Sequence, residues 1–276
     1  MPFLRAMTLL TFCLAVSGTA HGAASEWQLT DGGKLRLISQ VNAADGSIRA
    51  GLQIQLKKGW KTYWKVPGDS GLPPQVQFLG SSNVAHAEMK FPVPQMYDDP
   101  EGRSIGYKDE VVFPISVKRR TQGAPVTLRA KGVVGICDEI CVPVPFDMSV
   151  REDGLGGTRM DIASALLKAE EQLPQKSNAV FGVSHVARLG NKRQIVIEAN
   201  VPVQSGQTNL FVVAPWSWYV SSARLDHREG NRARFVLDAD QAPPDDKLVG
   251  TRLQVTLVAD GRGVEQSLEV APPKTP

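Results

Sequence analysis

The sequence predicts an all-β protein with two immunoglobulin-like antiparallel β-sandwich domains joined by a short helical linker. Residues 34–38 and 48–56 alternate polar and apolar side chains with a period of two, which is typical of strands with one buried face. The 25 glycines and 19 prolines favour many turns and short strands over long helices. A chain of 276 residues is also long enough for two domains of this size.

The N-terminus has the pattern of a secretory signal, which we assign to residues 1–24. Arg5 precedes an apolar run over residues 6–16, and mostly small residues follow. This run is shorter than the roughly 20 residues that span a bilayer. We therefore expect the signal to be removed together with Cys13, leaving a soluble protein in the periplasm, where disulfides persist. Cleavage is expected after Ala20, Ala23 or Ala24.

The first domain is predicted over residues 25–153. Besides the two alternating segments above, strands are expected at residues 111–117 and 126–133. Residues 57–74 and 91–107 are predicted to be long irregular segments between the strands. Long loops on a rigid scaffold often carry function, so a site is expected near them.

The linker is predicted over residues 154–177. Residues 154–157 predict a hinge, and a short helix is expected to follow it until Pro174 ends it. The apolar residues that fall on one face of this helix are Ile162, Leu166, Ala169 and Leu173.

The second domain is predicted over residues 178–270, followed by a Pro-rich tail, residues 271–276, that is expected to be disordered. About seven strand-like segments within roughly a hundred residues fit a second small sandwich. The predicted strands are residues 179–189, 194–201, 208–213, 218–225, 233–238, 251–259 and 264–270.

Cys137 and Cys141 stand out because they are the cysteines that remain outside the predicted signal. A structural disulfide is the simplest interpretation, but so short a loop adds only about 2 kcal/mol, and a domain of this size can build a core without it. On a straight strand their Cα atoms would lie about 13 Å apart, whereas a disulfide needs about 4.4–6.8 Å. The chain must therefore reverse at residues 138–140, in a tight turn that a partner thiolate can reach.

The residues around the pair indicate its chemistry. Asp138 and Glu139 place negative charge beside the sulfur atoms, which disfavours a thiolate and raises the pKa of a thiol. Such a pair suits a carrier whose disulfide is attacked by partners rather than an aggressive oxidant. Copper(I) is an alternative, but no His or Met adjoins either cysteine, so neither a metal nor a cofactor is expected. The additional soft ligands considered for copper are His86, Met89, Met96 and Met148.

The aromatic residues, the GDSG sequence and the net charge add little to this functional hypothesis. Trp60, Tyr63 and Trp64 lie in a Gly- and Pro-rich segment, where we expect them to line a groove near the cysteines, with core packing as the alternative. The GDSG sequence at 68–71 is similar to a serine-protease nucleophile segment, but no credible His and Asp support it, so a turn is expected. A net charge of +3 with scattered basic residues gives no footprint for nucleic acid.

Three motifs in this order resemble the N-terminal periplasmic domain of DsbD-type thiol:disulfide interchange proteins, in particular the suppressor-of-copper-sensitivity B branch. They are GWKTYW at 59–64, PGDSGLPP at 67–74 and CDEICVP at 137–143, and the resemblance covers about residues 27–151. It implies an immunoglobulin-like fold in which Cys137 and Cys141 are the exchanging pair. It also implies that Tyr63 lines the site and that residues 97–107 form a cap loop over the disulfide.

The same resemblance implies the partners. The pair would receive electrons from a membrane-embedded DsbD- or CcdA-like donor and pass them to a periplasmic thioredoxin-fold acceptor, such as a disulfide isomerase or a cytochrome c maturation factor. The chain ends without the transmembrane and thioredoxin-like portions of these proteins, so a separate membrane partner is expected. Nothing in the turn separates the two cysteines, and the family analogy favours Cys141 for the mixed disulfide with the downstream partner.

The cap segment departs from the better-known members, as does the closer spacing of the cysteines. Where those members place a Phe over the sulfur, this chain has Asp98 and Asp99. We expect Tyr97, Ile105 or Tyr107 to shield the disulfide, with the two aspartates as solvated charges beside it. The competing hypothesis is a non-catalytic periplasmic binding module, in which the disulfide is structural and the aromatic groove binds a partner protein or copper.

Overall fold

The computed structural model describes residues 22–42, 45–99, 102–153, 159–189, 193–203, 206–215, 218, 222–239 and 248–273. In these residues the chain forms antiparallel sheets almost throughout, which confirms the predicted all-β class. The elements are β1 (Gly22–Ala24), β2 (Gln28–Thr30), β3 (Gly33–Val41), β4 (Ile48–Leu56), β5 (Lys61–Gly68), β6 (Gln75–Gln77), β7 (Val84–Met89), β8 (Gln95–Asp99), β9 (Gly102–Lys108), β10 (Glu110–Arg119), β11 (Val126–Cys137), β12 (Cys141–Glu152), α1 (Met160–Glu171), β13 (Gln175–Lys176), β14 (Gly182–Arg188), β15 (Gln194–Asn200), β16 (Thr208–Val213), β17 (Arg224–Glu229), β18 (Arg232–Asp238), β19 (Arg252–Ala259) and β20 (Arg262–Glu269).

The first sandwich is made of two antiparallel sheets. The helix-covered sheet has the strand order β1-β3-β4-β10-β7, with β2 paired to β3. The cysteine sheet has the order β12-β11-β5-β9-β8, with β6 paired to β11. Alternate residues of both sheets point inward and form one core, as the period-two pattern predicts. Large members of this core are Leu35, Leu52, Phe113, Val134 and Ile136.

Helix α1 packs on the outside of the helix-covered sheet. Its buried residues are Ile162, Leu166 and Ala169, three of the four predicted for its apolar face. They form a small cluster with Ile38 and Val112 of the sheet. The predicted linker helix therefore belongs to the packing of the first sandwich.

The second sandwich also has two sheets. The interface sheet has the order β13-β20-β19-β16, and the outer sheet has the order β14-β15-β18-β17. All their pairings are antiparallel except that of β13 with β20. Ile195, Leu210, Phe235, Leu253 and Leu257 are among the residues that fill the core between them.

The interface sheet packs against the first sandwich. Phe211 of β16 and Val258 of β19 belong to the first sandwich's core cluster, and the Phe211 ring lies 5.8 Å from that of Trp64, centroid to centroid. Beside this apolar contact, Lys65 Nζ lies 2.9 Å from Glu265 Oε2. Both contacts involve β5, the strand that also pairs with Cys137.

Several predicted elements are wrong. The segments 57–74 and 91–107 were expected to be irregular, but they contain strands β5, β8 and β9. Pro67 interrupts β5 only locally, since it lies where the register between β5 and β9 shifts and no ladder hydrogen bond is required. Of the predicted strand at 218–225, residues 219–221 lie outside the described residues, and residues 224 and 225 begin β17. This strand is mostly exposed and polar, so apolar alternation does not mark it.

The chain ends are described only in part. Residues 1–21 of the predicted signal lie outside the described residues, but Gly22–Ala24 pair with β3 as strand β1. At the other end, residues 274–276 lie outside the described residues, and Ala271 forms a parallel bridge with Ala187. Among the described helices, none has the length and apolar character needed to cross a membrane.

Candidate functional site

The two cysteines close a β-hairpin. Cys137 is the last residue of β11 and Cys141 the first of β12, and the two face each other in the antiparallel register. Their Cα atoms lie 4.2 Å apart and their sulfur atoms are bonded. The chain reverses within residues 138–140, as the distance argument from the sequence requires.

The register places the disulfide on the outer face of the cysteine sheet. Ile136, Val134 and Val144 point into the core, so the cysteines, one or three residues away along each strand, point to the other face. Cys137 pairs with Lys61 of β5, which in turn pairs with Lys108 of β9. Together with Cys141, the partner of Cys137 on β12, these residues therefore form one row of four across the sheet.

The two cysteines differ in accessibility. Cys137 is 1% exposed, whereas Cys141 is an exposed residue. Cys141 is flanked by Ile140 and Val142, whose side chains are 77% and 37% exposed. A thiolate from another protein can therefore approach Cys141 directly, with apolar surface around it, while Cys137 is shielded by the sheet.

Tyr63 is the predicted site residue that lies against the disulfide. It is 2% exposed, and its hydroxyl donates a hydrogen bond to Cys141 Sγ at 3.1 Å. A segment at residues 69–74, which we name the strap, holds its ring in place. A Cβ atom on Gly71 of the strap would lie only 2.4 Å from the Tyr63 ring, and one on Gly135 would lie 2.6 Å from the Leu72 carbonyl oxygen. Small residues at both positions let the strap lie close to the sheet.

The strap is fixed to the β8–β9 hairpin. The Asp69 amide donates to the Arg103 carbonyl oxygen at 2.8 Å, and the Arg103 amide donates to Asp69 Oδ2 at 2.9 Å. Sequence reasoning treated the GDSG sequence as a turn within a segment expected near the site, but it did not predict that this turn packs on Tyr63. The available signal was Gly71, whose φ of 127° is a conformation that glycine adopts readily.

Trp60 and Trp64 take different places. Trp60 is half-buried below the hairpin, because the missing side chain of Gly32 leaves room for its ring next to Ile136. Trp64 points into the core and contacts Phe211 of the second sandwich. Trp60 thus packs against the core of the first sandwich and Trp64 lies within it, so both have the core packing that was the alternative to groove lining.

Two residues expected to shield the disulfide lie on the other side of the sheet. Ile105 and Tyr107 belong to the core of the first sandwich. The Tyr107 hydroxyl donates to the Pro92 carbonyl oxygen at 2.8 Å, and its ring meets Phe113 edge-on at 5.3 Å. Burial raises the pKa of this phenol well above its ordinary value. The alternation along β9 therefore directs both side chains away from the cysteines.

The remaining cap residues lie at the edge of the sheet. The Tyr97 hydroxyl donates to Gln95, and Lys108 Nζ lies 4.3 Å from the centre of the Tyr97 ring. Asp98 forms an ion pair with Arg103 at 3.2 Å. The side chain of Asp99 lies outside the described residues. Both residues lie on β8, and strands β5 and β9 separate β8 from the strand of Cys137.

Asp138 and Glu139 are exposed in the connection between the cysteines. Asp138 Oδ1 would lie 3.5 Å from a Cβ atom on Gly59, so the carboxylate borders the turn that precedes β5. Within the described residues, no cluster of three or more His, Cys, Asp or Glu side chains that could hold a metal ion is found.

The disulfide lies on a hairpin of an immunoglobulin-like sandwich, and its Cys141 end is exposed to other proteins. This arrangement is that of a thiol–disulfide interchange domain of the oxidoreductase kind. Comparison with known families agrees. Residues 36–149 match the family model of the N-terminal domain of the thiol:disulfide interchange protein DsbD. The resemblance predicted from the motifs is thereby confirmed over residues 36–149.

A solved structure extends the likeness to both sandwiches. The chain is similar to the N-terminal periplasmic domain of ScsB from Proteus mirabilis, with a TM-score of 0.72 and 21% identity. The match covers 91% of this chain and 99% of that one, so the two share their fold over nearly their whole length. A search of curated proteins found no significant match.

Proposed function

We propose that this protein relays reducing equivalents in the periplasm through Cys137 and Cys141. The donor would be a membrane-embedded protein of the DsbD or CcdA kind, and the acceptor a periplasmic thioredoxin-fold protein. The observation that carries the proposal is a disulfide closing a short hairpin with one buried and one exposed cysteine. In this scheme residues 25–153 carry the exchange chemistry and residues 178–270 support them.

The accessibility of the two cysteines supports a direction for each step. A thiolate of the donor attacks Cys141 Sγ, the bond to Cys137 breaks, and Cys137 leaves with the electron pair as a thiolate. A second donor thiolate then attacks the donor sulfur of the mixed disulfide, so that a disulfide forms on the donor and Cys141 is released as a thiolate. After protonation this protein is a dithiol. Delivery runs in reverse: the Cys141 thiolate attacks the acceptor disulfide, and Cys137 resolves the mixed disulfide. The Tyr63 hydroxyl is placed to donate to Cys141 Sγ when that sulfur carries negative charge.

A redox titration tests the function. The protein is equilibrated in glutathione or dithiothreitol buffers of graded potential, and its free thiols are then alkylated and counted by gel shift. A carrier should be reduced reversibly at a potential above about −300 mV. A disulfide that resists reduction until well below that value, or that is not recovered on reoxidation, would identify a structural bridge and contradict the proposal.

Trapping tests which cysteine meets the partner. In Cys137→Ala the accessible Cys141 thiolate should attack a thioredoxin-fold protein whose resolving cysteine has been replaced and whose remaining cysteine carries a thionitrobenzoate group. Thionitrobenzoate then leaves as a thiolate, and a stable mixed disulfide between the two proteins remains. The matched variant Cys141→Ala leaves the buried Cys137 and should trap little. The reverse ratio of trapped complexes would transfer the attacking role to Cys137.

The N-terminal strand supports a choice among the three expected cleavage points. The Ala23 amide donates to Glu152 Oε1 at 3.2 Å, and Glu152 is 4% exposed and also accepts from Ser39. Cleavage after Ala20 would keep strand β1, whereas cleavage after Ala23 or Ala24 would remove it. We expect intact mass measurement of the exported protein to give an N-terminus at His21; a start at Ala24 or Ser25 would contradict this.

A further inference from the structure

We propose that Lys61 is a further residue of the exchange site, whose ammonium group stabilises the thiolate that forms on Cys137. This inference rests on the proposed function and deepens it. Lys61 is the direct cross-strand partner of Cys137. Directly opposed residues point to the same face of a sheet, with Cβ atoms about 4.5–5.5 Å apart. The lysine side chain therefore starts next to the side chain of Cys137.

Burial makes this pairing significant. Lys61 is 8% exposed and Cys137 is 1% exposed, so the two side chains start from neighbouring positions that are both shielded from water. The attraction between opposite charges grows as the surrounding dielectric constant falls. A negative charge that appears on Cys137 during exchange would thus be compensated by a positive charge that is already shielded from water.

The other titratable groups around this row are less favourably placed to act on Cys137. The two carboxylates in the hairpin connection and three further lysines are exposed, so water screens their charges. The buried phenol of Tyr63 is engaged with the other sulfur. The exposed groups are Lys57, Lys58, Lys108, Asp138 and Glu139.

The consequence is a division of roles between the two sulfurs. When a partner thiolate bonds to Cys141 Sγ, the electron pair of the broken bond stays on Cys137, where Lys61 compensates the charge without any proton transfer. A thiol of lower pKa is also the better leaving group in such an exchange. Lys61 therefore favours attack at Cys141 over attack at Cys137, in addition to the steric shielding of Cys137.

The test measures the Cys137 thiol alone. In a Cys141→Ala background, thiolate formation at Cys137 is followed by its ultraviolet absorbance as the pH is raised. Replacing the lysine in Lys61→Met should raise the pKa of this thiol by about one unit, while Lys61→Arg should keep it near the original value. In the chain with both cysteines, the equilibrium constant for reduction by glutathione should fall up to about tenfold in Lys61→Met.

Lys108→Met is the matched control, because Lys108 lies in the same row but is exposed; it should change neither quantity by more than about twofold. If Lys61→Met does not fold, as judged by its circular dichroism, Lys61→Gln takes its place. An unchanged Cys137 pKa in the folded neutral variant would overturn the inference. So would an equal shift of the Cys141 pKa in a Cys137→Ala background. Either outcome leaves the proposed exchange intact, since a reversible potential in the unmodified protein is measured separately.

Discussion

The cysteine sheet of the first sandwich and the outer sheet of the second are both antiparallel and both pack one face on a core, yet their other faces differ. On the cysteine sheet, Gly135 and the Gly71 of the strap allow close layering over Tyr63. On the outer sheet, β17 is largely exposed, and the next two strands, β18 and β15, bear charged side chains such as Arg232 and Glu198. The same architecture therefore carries a chemical site only where small residues and a short hairpin connection bring a covering segment onto the sheet.

The largest expected effect comes from removing the hairpin disulfide. The double variant Cys137→Ala/Cys141→Ala should lose all exchange with a thioredoxin-fold partner. Its free energy of unfolding should fall by only about 2 kcal/mol, because the disulfide closes a very short loop. Urea unfolding and an exchange assay on the same sample measure both. A variant that fails to fold would show that the disulfide is structural. The cysteine sheet would then differ from the outer sheet by a stabilising bond and not by a chemical site.

The next effect concerns a side chain that belongs to both sandwiches. Phe211→Ala should lower the free energy of unfolding by about 3–5 kcal/mol and should reduce hydrogen-exchange protection in β5, since its ring packs on Trp64. Phe235→Ala, in the second core, is the control and should reduce protection chiefly in the outer sheet. If β5 keeps its protection in Phe211→Ala, the two sandwiches are energetically independent, and the stability of the exchange site does not depend on the second sandwich.

A smaller effect is expected from two glycines with positive φ, Gly71 at 127° and Gly230 at 56°. Gly71→Ala should cost about 1–3 kcal/mol through overpacking against Tyr63, in addition to about 1–3 kcal/mol of backbone strain. It should also slow exchange roughly fivefold, the equivalent of one hydrogen bond of about 1 kcal/mol. Gly230→Ala in the second sandwich adds a Cβ atom at a φ of 56° with nothing within 4 Å. It should cost about 1–2 kcal/mol without changing exchange. Equal exchange rates in the two variants would show that the strap does not position Tyr63.

The smallest effect is pH-dependent. On the cysteine-bearing face, the hydrogen bond from Arg129 lowers the pKa of the Asp147 carboxyl below its ordinary value of 3.8. Because the folded-state pKa is lowered, this carboxylate stabilises the fold at pH values above the ordinary pKa of 3.8. The contribution is lost as the pH falls through the folded-state pKa. Arg129→Gln should therefore be slightly less stable near neutral pH and equal to the unmodified protein in strong acid. Thermal unfolding at several pH values checks this, with Arg252→Gln, from an exposed pair with Glu269, as the comparison.

Local pattern was sufficient for much of the fold. Alternation predicted strands such as β4 and β11, and the distance between Cys137 and Cys141 required the chain reversal that the structure has. The strands inside the Gly- and Pro-rich segments were missed, because pairing with β11 and β9 stabilises them and such long-range pairing is not encoded locally. Ile105 and Tyr107 were expected near the cysteines for the same reason: which face of β9 points to the core depends on register. The burial of Lys61 likewise follows from its place between two strands, not from its neighbours in the chain.

The insertion of Phe211 and Val258 into the first core has a practical consequence for anyone working with the exchange domain in isolation. A shortened polypeptide that stops before the second sandwich would expose a hydrophobic cavity next to Trp64. Such a cavity favours self-association or a loosened tertiary structure. Kinetic constants obtained from such a fragment would describe an altered molecule. Retaining the downstream residues, or filling the gap by redesign, is the safer route to a well-behaved preparation.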